Sequence, residues 1–203
     1  MYKHTYKDET VAKGDTYKHI IDSALALVAE FGLEKASLSM IANKAGISKP
    51  AIYYYFSSKE ALLDHLFNLL FDDYQFDHYF PLETYTKDNF SSLLTDNGLH
   101  LLQEYDENPE LLKIINHFIV YAGQKQAYDE KLKHTLTEFL DGFRRLLIHG
   151  QKLGVIKEGE DLTAKSQLLG LVLDNISSYL LMGIKVESTA VWTQAVSYVM
   201  GDD

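Results

Sequence analysis

Cysteine is absent from the 203 residues, which excludes disulfides, thiol catalysis and zinc sites built on cysteine. Arginine is almost absent: Arg144 and Arg145 are the only two. No uninterrupted apolar run approaches the roughly twenty residues of a membrane span, and the start, Met1 to Glu9, lacks the apolar core of a signal peptide. A cytoplasmic protein without membrane contact is expected. Nucleophile motifs, phosphate-binding glycine loops and carboxylate–histidine clusters are also lacking, and the eight histidines show no paired spacing with carboxylates of the zinc-enzyme kind. Neither enzyme chemistry nor a metal or cofactor is expected.

With 46% hydrophobic residues, the chain has enough apolar surface for one or two globular domains. Its net charge of −10 is unevenly placed: residues 1–59 carry eight lysines against six acids, residues 60–203 eleven Lys/Arg against twenty-three acids. The acidity belongs to the second part, so the whole-chain charge does not exclude a polyanion as partner of the first.

One stretch, Ser37 to Glu60, organises the first part. Ser37 is placed to cap a helix and Gly46 to close it in the left-handed conformation. Ser48 then caps a second helix, with Pro50 tolerated in its first turn, and Ser57-x-x-Glu60 reads as a capping box for a third. Ile41, Ala42, Ala45, Ile47, Ile52 and Phe56 fall where they form a small shared core. Lys49, Tyr53 and Tyr54 are left over: an i,i+4 pair of cation and phenol with a second phenol beside it, and a bundle helix rarely exposes successive tyrosines. The preceding helix is predicted from Asp15 or Thr16, through Ile20, Ile21, Ala24, Leu25, Val28 and Phe31, to an end at Gly32. Residues 1–14 read as an N-terminal arm, with contact to DNA left open.

The run Ser37-Leu-Ser-Met-Ile-Ala-Asn-Lys-Ala-Gly-Ile-Ser-Lys-Pro-Ala-Ile-Tyr-Tyr-Tyr-Phe-Ser-Ser-Lys-Glu-Ala-Leu-Leu63, with Ala29-Glu-Phe-Gly32 before it, resembles the N-terminal DNA-binding domain of the tetracycline-repressor (TetR) family of bacterial transcription regulators. The resemblance covers about a quarter of the chain. It implies an all-α protein with a three-helix helix-turn-helix domain over residues 1–57 and a helical effector-binding and dimerisation domain over 58–203. By position in the motif, Lys49 becomes the principal reader of base edges, Ala51 a contact to a thymine methyl, and Tyr55 a contact to base or sugar. Tyr53, Tyr54 and Lys59 match phosphate clamps, and Ser39 adds a hydroxyl in the first turn of its helix. Ser37, Ser48 and Pro50 complete the expected DNA-binding set. Without arginine in this region, Lys49 has to supply the strong purine contact alone.

The rest of the chain reads as helices. One runs from Ser58 through Leu62, Leu66, Phe67, Leu70, Phe71 and Tyr74 to a stop at Pro81, as the only continuous element joining the two domains. The resemblance implies that it swings when ligand binds. A helix from Phe90 is expected to loosen near Asn97-Gly98, and others follow over about Leu111–Tyr121, Asp129–Leu153, Leu162–Ile184 and Ser188–Met200. The last two are rich enough in apolar residues to leave a face for a second copy, and Leu169, Val172, Leu173, Ile176, Leu180, Val191, Trp192, Ala195, Val196 and Val199 are the predicted homodimer interface.

Phe67, Tyr74, His78, His100, His117, Phe118, Tyr121 and Phe143 are the candidates to line a small-molecule site. The function expected is a repressor released from a palindromic double-stranded DNA operator by an effector of unknown identity. The alternative is a DNA-bound structural or partner-docking protein without an effector.

Overall fold

Helix ends fall largely where local capping chemistry puts them. The computed structural model describes residues 11–72 and 74–201, and among these it has no strand. Its helices are α1 (Val11–Lys35), α2 (Leu38–Lys44), α3 (Lys49–Tyr55), α4 (Lys59–Asp72), α5 (Phe76–Tyr79), α6 (Phe90–Glu107), α7 (Pro109–Ala122), α8 (Gln126–Lys152), α9 (Leu162–Leu181) and α10 (Ser188–Met200), with a 3-10 turn at Leu82–Thr84. The expected arm lies outside the described residues as far as residue 10; from Val11 the chain is already helical, several residues before the predicted start.

Two compact units result. The first takes in the described residues of Met1–Asp72 and Glu110–Asp129, the second those of Asp73–Pro109 and Glu130–Asp203. In the first, α1 packs on α2 and α4, and α2 on α3. Ile20, Ile21, Val28, Ile41, Ala42, Ile52, Leu62 and Leu66 are almost wholly buried there. Of the predicted small core, Ile41, Ala42, Ile52 and Phe56 are buried, while Ala45 and Ile47 remain half-buried. α1 is interrupted at Gly32, where φ is 78° and ψ 167°, a conformation that only a residue without Cβ adopts cheaply. The imidazole of His117, on α7, packs against this glycine: a Cβ there would stand 3.4 Å from its Cε1. Phe67 and Phe71 of α4 meet Phe118 of α7, at ring-centroid distances of 5.6 and 6.4 Å.

The single helix predicted from Ser58 to Phe80 does not form. α4 stops at Asp72, and α5 is a separate turn. Asp72, the last residue of α4, opposes the negative end of the helix dipole. Beyond it Tyr74, Phe76 and Phe80 join the aromatic core of the second unit. Tyr74 stacks on Phe139 with centroids 4.8 Å apart and planes 11° from parallel, and Phe76 and Phe80 both meet Phe143 at 4.9 Å. Burial pushes the phenols of Tyr74 and Tyr105 up, and the two share a hydrogen bond as neutral groups. α8 carries residues of both units, and α7 starts at Pro109 of the second and continues in the first.

A second expectation fails at Gly98. α6 runs through Asn97-Gly98 without a break. The glycine is there for clearance: a Cβ would lie 2.1 Å from Cε2 of Trp192, which is fully buried. The indole Nε1 donates to the carbonyl of Thr95 at 3.0 Å and so fixes α10 on α6. α9 is capped by Asp161, whose Oδ1 accepts from the amides of Thr163 and Ala164 at 3.1 and 3.0 Å. Among the described residues no helix is long and apolar enough to cross a membrane.

Candidate nucleic-acid interface

The short helix α3 owes its position to three local devices. Ser37 caps α2 by accepting from the amide of Met40 at 3.2 Å, and Gly46 turns the chain with φ at 72°. Ser48 then caps α3, accepting from the Ala51 amide at 3.3 Å, with Pro50 inside the first turn. Ile52 is the fully buried residue of α3 and anchors it on α2. At its end Phe56 meets the rings of Tyr17 and His65, at 6.1 and 5.6 Å, and the Tyr17 hydroxyl is hydrogen-bonded to Nε2 of His65. The third cap is offset from its predicted place: Ser58, not Ser57, accepts from the Ala61 amide, at 3.1 Å. The Glu60 carboxylate accepts from its own amide and from the Ser58 hydroxyl, which hold its pKa low.

With Ile52 directed inward, the opposite side of α3 faces solvent. Lys49 and Pro50 are exposed, as are Tyr53 at 49% and Tyr54 at 72%. Ala51 and Tyr55 are half-exposed, and the Tyr55 ring meets Tyr54 edge-on at 5.5 Å. Ser39 and Ser48 are exposed and Ser37 half-exposed; the hydroxyls of Ser37 and Ser48 are engaged as caps. Lys59 is turned back toward α1, where its ammonium donates to the Glu34 carbonyl at 2.6 Å. A cation, phenols and hydroxyls thus share one short helical surface and its flanks. Such a surface suits phosphates at its edges and base edges at its centre.

Residues 20–66 match the family model of bacterial regulatory proteins of the tetR family. The fatty acid metabolism regulator protein of Bacillus subtilis (strain 168) is 26% identical over 190 residues, covering 88% of this chain and 91% of the relative. The chain is thus similar to TetR-family regulators, and the family match lies in residues 20–66. The HTH-type transcriptional regulator AcrR of Shigella flexneri is 25% identical over 143 residues, 66% of this chain and 64% of its own. A TetR transcription regulator from Haloarcula marismortui has the same fold, with a TM-score of 0.73 at 22% identity, over 93% of this chain and 97% of that one. The chain is therefore a helix-turn-helix, DNA-binding transcription regulator, with α2 and α3 inside the matched segment.

The eight candidate effector residues divide between the two units. Phe67, His117, Phe118 and Tyr121 are in the first unit; Tyr74, His78, His100 and Phe143 are in the second. Phe67 and Phe118 touch each other, and Phe143 is fully buried among Phe76, Phe80 and Trp192. His78 and His100 face solvent, His100 beside Glu104 at 3.5 Å.

Of the predicted dimer residues, Leu169, Leu173, Ile176, Trp192, Ala195, Val196 and Val199 are buried within their own chain. Val172 and Leu180 are half-buried and Val191 exposed. The exposed apolar side chains of α9, α10 and their connection are Leu171, Tyr179, Met182, Ile184, Val191 and Tyr198, the largest fractions being 62% at Met182 and 58% at Tyr198. An open apolar groove of about 270 Å³ runs between Leu171, Val172, Asn175, Ile176, Tyr179, Val186 and Val191. The i,i+4 spacing of Leu171, Asn175 and Tyr179 on α9 is the signal in the sequence that marks this outer face.

Proposed function

We propose that this regulator is a cytoplasmic homodimeric repressor that holds a palindromic operator through α3 and leaves it when a small-molecule effector binds. It acts by binding rather than catalysis. The observation that carries the reading is the exposed Lys49, Tyr53 and Tyr54 surface on a helix fixed from behind by Ile52 and at its start by Ser48. Lys49 reads base edges, Ala51 and Tyr55 support it, and Tyr53, Tyr54, Ser39 and Lys59 hold phosphates and sugars. Lys59 retains two further N–H donors for a phosphate while it binds Glu34. Residues 1–57 supply the reading function and 58–203 the effector response and dimerisation; this is a division of roles, and it does not coincide with the two packed units.

The exposed apolar set on α9, α10 and their connection supports a second copy as its cover, because the exposed Leu171, Tyr179 and Val191 line an apolar groove and Met182 and Tyr198 are exposed as well. Two copies place their α3 helices about one DNA turn, about 34 Å, apart. Relatives named for fatty acid metabolism support fatty acids as the first effectors to assay. The alternative, a regulator without effector, draws support from the aromatic filling of both cores, in which Phe118 and Phe143 have no exposed surface.

The test is selection of duplexes from a randomised pool by the full chain, followed by titration of the selected complex with fatty acids of graded length. Enrichment of an inverted repeat and its release by one chain length support the proposal. Enrichment without release by any small molecule favours the alternative, and no enrichment refutes both.

A further inference from the structure

Three rings from three elements of the first unit close on one another where the chain leaves the reading helix. Phe56 is the residue after α3, and its amide donates to the Ile52 carbonyl at 3.0 Å, so its side chain fixes how α3 ends. The ring is buried, with the Tyr17 phenol of α1 stacked on it at 6.1 Å and 26° and the His65 imidazole of α4 beside it at 5.6 Å. Tyr17 and His65 meet edge-on at 5.6 Å and 71°, and the hydrogen bond between the hydroxyl and Nε2 closes the triangle over Phe56.

That bond depends on the protonation of the imidazole. A neutral ring with its hydrogen on Nδ1 offers Nε2 as an acceptor, and the phenol donates to it; an imidazolium carries a donor on both nitrogens. On protonation the hydroxyl has to turn its hydrogen away, and a charge appears beside two aromatic rings at a half-buried position. Burial accordingly holds His65 below the ordinary histidine range and raises Tyr17, so the phenol stays a neutral donor while the imidazole titrates. The ionisable groups on the elements around the imidazole are Asp15, Lys18, His19 and Asp22 beside Tyr17 on α1, Tyr53 and Tyr55 on α3, and Lys59, Glu60 and Asp64 on α4. Asp64 accepts from Tyr128, Glu60 from Ser58, and Lys59 donates to Glu34; among the described residues the hydrogen bond of the His65 ring is to Tyr17. No carboxylate of this set is bonded to the ring to hold it as an imidazolium.

We propose that Tyr17 and His65 are positioning residues for operator reading, forming a proton-sensitive latch that holds Phe56, and with it the end of α3, while the imidazole is neutral. The proposal rests on the reading of α3 as the operator-binding helix and adds a regulation of that same surface. The two residues act through Phe56 on the seating of α3 over Ile52. Operator binding selects the closed latch and therefore the neutral imidazole. By linkage, a fall in pH through the folded pKa of His65 weakens the operator complex, while well above it the latch is closed with or without DNA.

The experiment is fluorescence anisotropy of the full chain on the inverted repeat recovered by selection and on a scrambled duplex, between about pH 7.5 and 5.5 at constant ionic strength, with circular dichroism at each pH to show that the chain is folded. From the upper to the lower pH the wild type should lose affinity for the repeat by about threefold or more beyond any loss in His65→Gln. His65→Gln keeps an acceptor for the hydroxyl without a titrating nitrogen, so it should bind the repeat like the wild type at the upper pH and show the shallower profile. The other histidines are common to both proteins, so the difference between the profiles belongs to His65. Tyr17→Phe keeps all three rings and removes the bond; it should bind the repeat more weakly at the upper pH and also titrate less, and it carries the comparison if His65→Gln does not fold. Parallel profiles for wild type and variant, or a wild-type affinity that does not fall toward the lower pH, overturn the proposal. A wild type without preference for the repeat at the upper pH marks failure of the repressor reading itself, which a flat profile on a preferred repeat does not.

Discussion

Replacing Gly98 by alanine tests how α10 is held. A Cβ at this position meets Cε2, Cζ2 and Nε1 of Trp192 at 2.1, 2.3 and 2.3 Å, whereas ordinary contact begins at 3.4 Å. The indole is rigid and has no exposed surface, so it has to shift by more than an ångström or leave its place. Overpacking of this kind costs about 1–3 kcal/mol, and straining the bond from Nε1 to the Thr95 carbonyl adds about 0.5–1.5 kcal/mol. The gain in helix propensity from glycine to alanine returns about 1 kcal/mol. A net loss of about 1–3 kcal/mol is expected, which at this chain length lowers the melting temperature by roughly 2–4 °C per kcal/mol. Because α10 carries Val191 and Tyr198 on the outer apolar face, operator affinity should fall more steeply on dilution than in the wild type. Urea titration with sedimentation on the same samples measures both. A Gly98→Ala protein as stable as the wild type would show that Trp192 does not sit on α6 as described.

Three further outcomes follow from the reading head. Lys49→Ala should lower specific operator binding by about 1–3 kcal/mol and flatten the preference at one base position, whereas Tyr53→Phe should weaken all sequences alike; a titration across operator variants separates the two. Ser48→Ala removes the acceptor of the Ala51 amide and should cost about 1 kcal/mol of stability in urea unfolding. Burial depresses the pKa of His65 below its ordinary 6.5, so the folded chain binds fewer protons than the unfolded one in this range. Its contribution to stability is full above about pH 6.5 and is lost as pH falls toward the depressed folded value. Melting between pH 7 and 5 should therefore be less pH-dependent in His65→Gln than in the wild type.

The sequence made the reading head legible because its determinants are local. Ser37, Gly46 and Ser48 act on amides and turns within a few residues of themselves, and Ile52 follows from helical spacing. The offset at Ser58 came from two adjacent serines with equal claims to the cap. What misled elsewhere was action at a distance along the chain. Gly98 looked like a helix breaker because its reason, Trp192, lies in the last helix, and α4 looked continuous because Tyr74 leaves it for a stack on Phe139. On α9 and α10 the apolar period marks hydrophobic positions without telling which side the chain covers itself. Leu169 and Leu171 are equally apolar, yet one is buried and the other exposed.

The central claim is that α3 reads sequence as one half of a symmetric pair. Fluorescence anisotropy of the full chain on the selected inverted repeat, against the same duplex with both half-sites scrambled and at equal salt, tests it most directly. The account predicts two chains per repeat and a preference of about a thousandfold or more over the scrambled duplex, in the range of specific regulators. Equal affinity for both duplexes, or saturation by a single chain, would contradict it.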